Sequence, residues 1–472
     1  MKKNILLYTV CVAAFLSSCN IYKEYHTPEM DARGLYRDPV SVSDTLVADT
    51  VNMADLPWEE VFTDSQLQSL IRLGLERNTD LQTAMLRVKE AQASLMSSRL
   101  AYLPSLGLSP QGGVSSFDKG KGNWTYSLPV VASWEIDLFG KLLNTKRAAK
   151  AALMQSEAYQ QAVQTQVVAA IANYYYMLLM LDKQLKVTEE TALLWEKNIE
   201  TMKAMKIGAM VNEAGVVQSE ANYYMVVASV SDLKNQIRET ENALCMLLRQ
   251  APRRIERGRL EEQRLPEVLN VGIPVQLLSN RPDVRAAEMA LAGTFYNANQ
   301  ARAAFYPQLT ISASGGWTND AGSTIINPAK MIASAVGSLT QPLFNRGANL
   351  ARLRIAKAQQ EEALLSFEQS LLNAGSDVSD ALSQYQSASD KLVQRAKQIS
   401  ALEKSVEYTQ ELLMLGSSTT YLEVLTAQQS LLSAQLSGIS DEFQRMQAGL
   451  RHGRSLLLLQ DMHMVMYTRQ QR

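Results

Sequence analysis

Trp124-Thr125-Tyr126-Ser127-Leu128-Pro129-Val130-Val131-Ala132-Ser133-Trp134-Glu135-Ile136-Asp137-Leu138 alternates between two kinds of side chain. Every second residue is apolar: Trp124, Tyr126, Leu128, Val130, Ala132, Trp134, Ile136 and Leu138. The set between them is polar or small, with Val131 the clear exception. A period of two describes a strand with one apolar and one wet face. A run of about fifteen residues is long for a soluble strand but suits a tilted barrel strand crossing a bilayer. Trp124 and Trp134 stand near either end of the apolar face, as in an aromatic girdle. Trp124, Tyr126, Leu128, Val130, Trp134 and Ile136 are therefore the candidate lipid-facing residues.

Weaker copies of this pattern lie on both sides. Leu106, Leu108 and Val114 mark a preceding strand, Leu309, Ile311, Ala313 and Trp317 a third, and Met331 to Leu343 a fourth. Gly112-Gly113 and Gly315-Gly316 are expected bends. Four strands cannot close a membrane barrel, and an open edge cannot sit in lipid. Lipid-facing hairpins thus imply that several chains share one barrel, and three copies would supply twelve strands.

The strands sit inside an internal duplication. Asp80-Leu81 through Ala101-Tyr102-Leu103-Pro104 aligns without a gap onto Asp283-Val284 through Ala304-Phe305-Tyr306-Pro307, a shift of 203. Leu138-Phe139-Gly140-Lys141 matches Leu343-Phe344-Asn345-Arg346 at a shift of 205, and Gly208 matches Gly416 at 208. Each half reads as a helix running up to the proline, two strands, a very long helix, a turn at glycine and a returning helix. The expected divisions are 1–18 (signal peptide), 19–56 (extended segment), 57–262 (first repeat) and 263–472 (second repeat).

The stretches Val130 to Ala251 and Leu343 to Arg472 contain no proline, which costs about 3 kcal/mol inside a helix. Helices from Gly140 to Gly208 and from Gly347 to Gly416 would each be about 100 Å long at 1.5 Å per residue. In the first, a stripe through Tyr159, Val163, Val167, Ile171, Tyr174, Leu178, Leu181, Leu185, Ala192, Trp195, Ile199 and Met202 steps by threes and fours like a coiled coil. Helices this long must pack sideways on equals. The tip turns are Ile207-Gly208-Ala209 and Leu415-Gly416-Ser417, where glycine would supply the positive φ that ends a helix.

Lys2 and Lys3 precede an apolar run from Ile5 to Leu16, too short for a spanning helix, so the N-terminus reads as a secretory signal. Leu16-Ser17-Ser18-Cys19 resembles the bacterial lipobox, which would make Cys19 the acylated first residue of the mature protein. Asn20-Ile21-Tyr22-Lys23 holds no immediate acid, which by the same resemblance fits delivery to the outer membrane. The composition is 46% hydrophobic and 20% charged, enough for a large core. Lys plus Arg number 46 and Asp plus Glu 47, leaving no basic excess for nucleic acid. Cys11, Cys19 and Cys245 cannot build a disulfide framework.

Four further segments resemble the TolC and OprM family of outer-membrane efflux ducts, in its lipid-anchored branch. They are Asn280-Arg281-Pro282-Asp283-Val284-Arg285-Ala286-Ala287-Glu288, Ala304-Phe305-Tyr306-Pro307, Leu339-Thr340-Gln341-Pro342-Leu343-Phe344, and Gly416 through Tyr421-Leu422-Glu423-Val424-Leu425-Thr426-Ala427-Gln428. The resemblance covers nearly the whole mature chain. It implies an α+β membrane protein: a homotrimer whose twelve-stranded transmembrane β-barrel, four strands per chain, continues into a long periplasmic α-helical barrel. It also implies a passive exit duct for drugs or other small molecules, opened by twisting the helix tips. A periplasmic adaptor (membrane fusion) protein would dock at those tips and join an inner-membrane transporter, expected to be of RND type. No cofactor or metal is implied beyond the lipid on Cys19. Glu423 lies where relatives carry a gate acid, with Tyr421 and Glu213 as further gate candidates, but Thr426 departs from the family's second acid.

An enzyme needs a constellation that this sequence lacks. His26, His452 and His463 have no metal-ligand spacing, and Gly120-Lys121-Gly122 lacks the rest of a P-loop. Met202, Met205 and Met210 near the first tip read as flexible packing rather than soft metal ligands. The remaining alternative is a periplasmic coiled-coil lipoprotein scaffold without a pore. It would share the anchor and helices but would not need the alternating strands.

Overall fold

The computed structural model describes residues 22–28, 58–116, 122–263, 281–318, 331–415 and 420–457. Cys19, Gly416, Ser417 and the proposed signal segment lie outside the described residues. Three helices lead in: α1 (Trp58–Val61), α2 (Ser65–Arg77) and α3 (Thr79–Leu100). Strands β1 (Ser105–Leu108), β2 (Gln111–Ser115) and β3 (Asn123–Ile136) follow, then α4 (Lys141–Ile207) and α5 (Glu213–Leu247). The second half brings α6 (Pro282–Ala303), β4 (Gln308–Thr318), β5 (Met331–Thr340), α7 (Ala348–Met414) and α8 (Tyr421–Leu457). The duplication is plain in the lengths: α3 and α6 each have 22 residues, and α4 and α7 each have 67. The long helices begin directly after Gly140 and Gly347, both at positive φ.

Helices α3 and α6 stop at Leu100 and Ala303, short of the prolines to which they were expected to run. The intervening residues form turns instead, with Leu103 N–H donating to Leu100 O (2.9 Å) and Tyr306 N–H to Ala303 O (3.1 Å). Pro disfavours helix in the residue before it, and here the turn absorbs that restriction early.

Two compact units divide the chain, and their boundaries fall within α3, α4, α6 and α7. The first comprises residues 1–31, 86–158 and 285–370 and contains every described strand. Its helices meet through small residues, Ala298, Ala301 and Ala356, beside Leu353. Gln300 donates to Thr145 (2.9 Å), and Asp137 caps α4 by accepting from Leu143 N–H (2.8 Å). Residues 22–28 lie on this unit: Tyr25 meets Phe295 edge-on at 5.7 Å, and Arg147 pairs with Glu24 at 3.5 Å.

The second unit comprises 32–85, 159–284 and 371–472. Its core follows much of the sequence stripe, with Val163, Val167, Ile171, Leu178, Leu181, Trp195 and Met202 all buried. Tyr159 is exposed, and Tyr175 and Tyr176 carry the packing that the stripe assigned to Tyr174. Asp64 caps α2 through Gln66 N–H and also accepts from the Tyr175 hydroxyl (2.6 Å) and Gln263 (2.8 Å). Arg257, whose side chain is only 8% exposed, bonds both Asp182 and Glu241. Burial alone would lower the pKa of its guanidinium, but those two carboxylates outweigh burial and raise it. Lys183 is shared between Glu261 (3.2 Å) and Glu442 (3.0 Å). Arg281, also buried, binds Asp283 and Asp377 and reaches the Ala374 carbonyl.

Candidate functional site: a two-faced sheet and the helix tips

All described strands join one antiparallel sheet in the order β1–β3–β4–β5, with β2 also paired to β3. The hairpin strands of the two halves therefore meet at β3·β4, leaving β1/β2 and β5 as the edges. Register decides which residues share a face. Leu128 lies opposite Trp317, Val130 opposite Gly315, Ala132 opposite Ala313, Trp134 opposite Ile311 and Ile136 opposite Leu309. Continuing across, Leu309 meets Leu339, Ala313 meets Ala335 and Trp317 meets Met331. On the other side Leu106 meets Ala132, Leu108 meets Val130 and Val114 meets Trp124. Directly opposed residues point to the same side of a sheet, so one face is apolar across all strands. Its Trp124, Val130, Trp134, Ile311, Trp317 and Leu339 are exposed. The indole N–H of Trp134 is satisfied by the Tyr102 carbonyl at 2.9 Å.

The opposite face is built from Thr125, Ser127, Ser133, Thr310, Ser312, Ser314 and Ser334, with Val131 and Val336 among them. Several of these line a hollow on that side of the sheet. Its one described acid, Glu135, is paired with Lys141 at 2.8 Å. The glycine pairs are not bends: Gly112 and Gly113 pair with Tyr126 and Thr125, and Gly315 and Gly316 with Val130 and Pro129. The first strand breaks instead at Ser109-Pro110, where proline cannot donate to the ladder.

At the first tip the turn differs from expectation. Gly208 does not adopt positive φ; Ala209 does, at 56°. The backbone closes a Schellman motif, with Met210 N–H donating to Met205 O (3.0 Å) and Ala209 N–H to Lys206 O (3.0 Å). That motif demands the left-handed residue one position after the C-cap, and the chain places alanine there. Ile207 is 89% exposed. Glu213 is tied to Lys206 across the turn, and Lys203 to Glu220 at 2.7 Å, so Glu213 acts as a clamp of its own hairpin. Met202 is buried, its methyl 3.2 Å from where a Cβ on Gly215 would stand, which fits packing rather than metal ligation.

At the second tip α7 ends at Met414 and Leu415 is exposed. Glu423, in the first turn of α8, is exposed, and no described ion pair holds it. Val424, Leu425 and Gln428 occupy the buried side of that helix, which puts Glu423 on the outward side with Leu422. Thr426 spends its hydroxyl on the Leu422 carbonyl at 2.8 Å. Tyr421 is half-buried; burial raises its phenol's pKa, and the neighbouring Ser219 hydroxyl of α5 offsets this in part. Tyr421 lies beside Ser219 of α5, its buried hydroxyl without a hydrogen-bond partner among the described residues, while Glu423 and Glu213 are not brought together by any described bond.

A sequence profile of the outer membrane efflux proteins matches residues 70–249 and 273–451, one match for each half. The chain belongs to that family. It is 28% identical over 433 residues to the cation efflux system protein CusC of Escherichia coli, covering 91% of this chain and 93% of the relative. It is 26% identical over 463 residues to the toluene efflux pump outer membrane protein TtgC of Pseudomonas putida, covering 94% and 93%. Among solved structures, the outer-membrane channel OprN superposes with a TM-score of 0.83 at 25% identity, covering 93% of this chain and 99% of that one. The open state of the Neisseria gonorrhoeae MtrE channel gives 0.82 at 25%, covering 94% and 99%. This protein is an outer-membrane efflux channel. No described helix is long and apolar enough to cross a membrane.

Proposed function

We propose that three copies of this chain close one twelve-stranded barrel, anchored by acyl chains on Cys19, and form the passive exit duct of a tripartite efflux pump. One observation carries the reading: among the described residues, a sheet with an exposed apolar face ends in two unpaired edges, β1/β2 and β5. Unpaired backbone groups in hydrocarbon cost several kcal/mol each, so edges must find partners on other chains. The antiparallel order allows β5 of one copy to meet β1/β2 of the next. A pore-free scaffold would have no use for such a sheet.

The long helices carry the duct into the periplasm, and the tips around Ile207 and Leu415 dock an adaptor that joins an inner-membrane transporter of RND type. The duct does no chemistry; the transporter supplies the energy. The names of similar proteins span a cation pump and a toluene pump, consistent with a lumen whose cargo is chosen upstream. Glu423, outward-facing and unpaired in one chain, would form a ring of three carboxylates at the tip, favouring cations. Single-channel recording of Glu423→Ala in planar bilayers tests this: cation selectivity should fall and leak should rise. Unchanged selectivity and leak would remove Glu423 from the gate.

A further inference from the structure

The starts of α4 and α7 are each locally basic. Between Lys141 and Ser156 stand four basic residues and no acid, and between Arg346 and Gln360 again four and none. Over the whole chain acids and bases balance at 47 and 46. The two halves repeat the placement, Arg147 matching Arg354 and Lys150 matching Lys357 at the 207-residue shift that relates α4 to α7. Neither helix has an acid in its first turn, a trait shared with the short α2, whereas α3, α5, α6 and α8 each have one. Lys141, the first residue of α4, and Arg346, just before α7, are opposed by the helix's own dipole.

Neighbours within the chain satisfy some of them. Lys141 pairs with Glu135, Arg147 with Glu24, and Lys146 lies 5.2 Å over the Tyr102 ring. Lys150, Arg346, Arg352, Arg354 and Lys357 are exposed, and no described ion pair engages them. They follow directly on the apolar face, whose last rungs are Ile136, Leu309 and Leu339. Between the two lies an aromatic pair, Phe139 stacked on Tyr306 at 5.0 Å. Apolar strand, aromatic ring, then cation is the order a chain meets when it leaves hydrocarbon through the interface into the headgroups. Lys150 and Lys357 lie nine residues into their helices, about 14 Å along the axis. A headgroup layer of about 6 Å plus a Debye length of about 8 Å covers that distance.

We infer that these residues form a basic collar that binds anionic phospholipid headgroups of the leaflet facing the helices. The inference rests on the reading that the apolar sheet face meets lipid. The collar fixes the depth of the sheet in the bilayer and gathers acidic lipids around the duct.

The test uses the full chain, reconstituted into phosphatidylcholine nanodiscs with and without phosphatidylglycerol, and measures phosphatidylglycerol enrichment in the lipid that stays with the protein. The variant is the combined Arg346→Gln, Arg352→Gln, Arg354→Gln and Lys357→Gln; its charge-retaining control replaces the three arginines by lysine. Each juxtamembrane cation is worth about fivefold in preference for an anionic surface. The neutral variant should therefore lose at least about fivefold in enrichment, in a salt-dependent manner, while the control keeps it. Equal enrichment in wild type and variant would overturn the collar, as would a variant whose only defect is loss of subunit association, which would assign these cations to a protein interface. Failure of the wild type to insert into either membrane would instead overturn the channel reading on which the collar depends.

Discussion

Val130 and Val131 are adjacent, identical in size and on opposite faces of β3, so replacing each in turn by arginine measures what each face touches. Val130 stands at the middle of the strand with Gly315 and Leu108 opposite, on the apolar side, and is 48% exposed in the single chain. Val131 stands between Gly107 and Ser314 on the polar side. An arginine on the lipid face at the bilayer midplane costs about 2–4 kcal/mol in a β-barrel, roughly thirtyfold to nine-hundredfold in the folding equilibrium per chain. Three copies in one barrel raise this to about 6–12 kcal/mol per assembly if the sites act independently. Val131→Arg keeps its charge in a wet hollow and should stay within about 0.5 kcal/mol. Trp124→Arg, at the strand's end, should cost only about 0–1 kcal/mol, because the penalty fades toward the interface. The assay is urea-titrated folding into phosphatidylcholine vesicles, followed by tryptophan emission. Equal penalties for Val130→Arg and Val131→Arg, or a larger one for Val131→Arg, would refute the assignment of faces.

Three further perturbations have defined outcomes. Ala209→Gly removes a side chain from a left-handed backbone position and should stabilise the first tip by roughly 0.5–1 kcal/mol, raising protection of Met210 N–H in hydrogen exchange; Gly208→Ala, with only ordinary contacts around its Cβ, should not destabilise it. Arg257→Met leaves Glu241 and Asp182 without their cation and should cost about 3 kcal/mol, the low end for a broken buried pair because Asp182 is more than a third exposed. Adding Glu241→Gln should recover part of that loss in the same denaturation assay. Cys19→Ser should abolish metabolic palmitate labelling, and persistent labelling would place the acylation elsewhere.

Much of the fold is written in local periodicity. The Trp124-to-Leu138 alternation gives β3 and its faces, since a period of two depends on nothing outside the strand. The absence of proline and the flanking glycines bound α4 and α7 to within a residue or two of Lys141–Ile207 and Ala348–Met414. β5 is different. Its residues on the apolar face, Met331, Ala333, Ala335, Gly337 and Leu339, are mostly small, so that face becomes readable only through its pairing with β4. The break at Pro110 was within reach of the sequence, because proline is the residue that a ladder cannot accommodate, whereas the glycine pairs misled. At the tip, glycine's freedom drew attention to Gly208, but the Schellman hydrogen bonds require the left-handed residue at Ala209. The Arg257 cluster gave no local signal, because Asp182 lies 75 residues away and the pairing exists only once α4 and the segment after α5 are side by side. Glu423 is legible as an outward acid near a tip, but a ring is a property of several chains and no single sequence displays it.

The central claim is that neighbouring chains close the sheet's edges into one barrel. The most direct test is the native mass of the protein extracted by mild detergent from the outer-membrane fraction. The account predicts three chains in one particle that stays in that fraction even when Cys19 is replaced by serine. A single chain released from the membrane without detergent once the anchor is gone would contradict it, and would mean that no shared barrel exists.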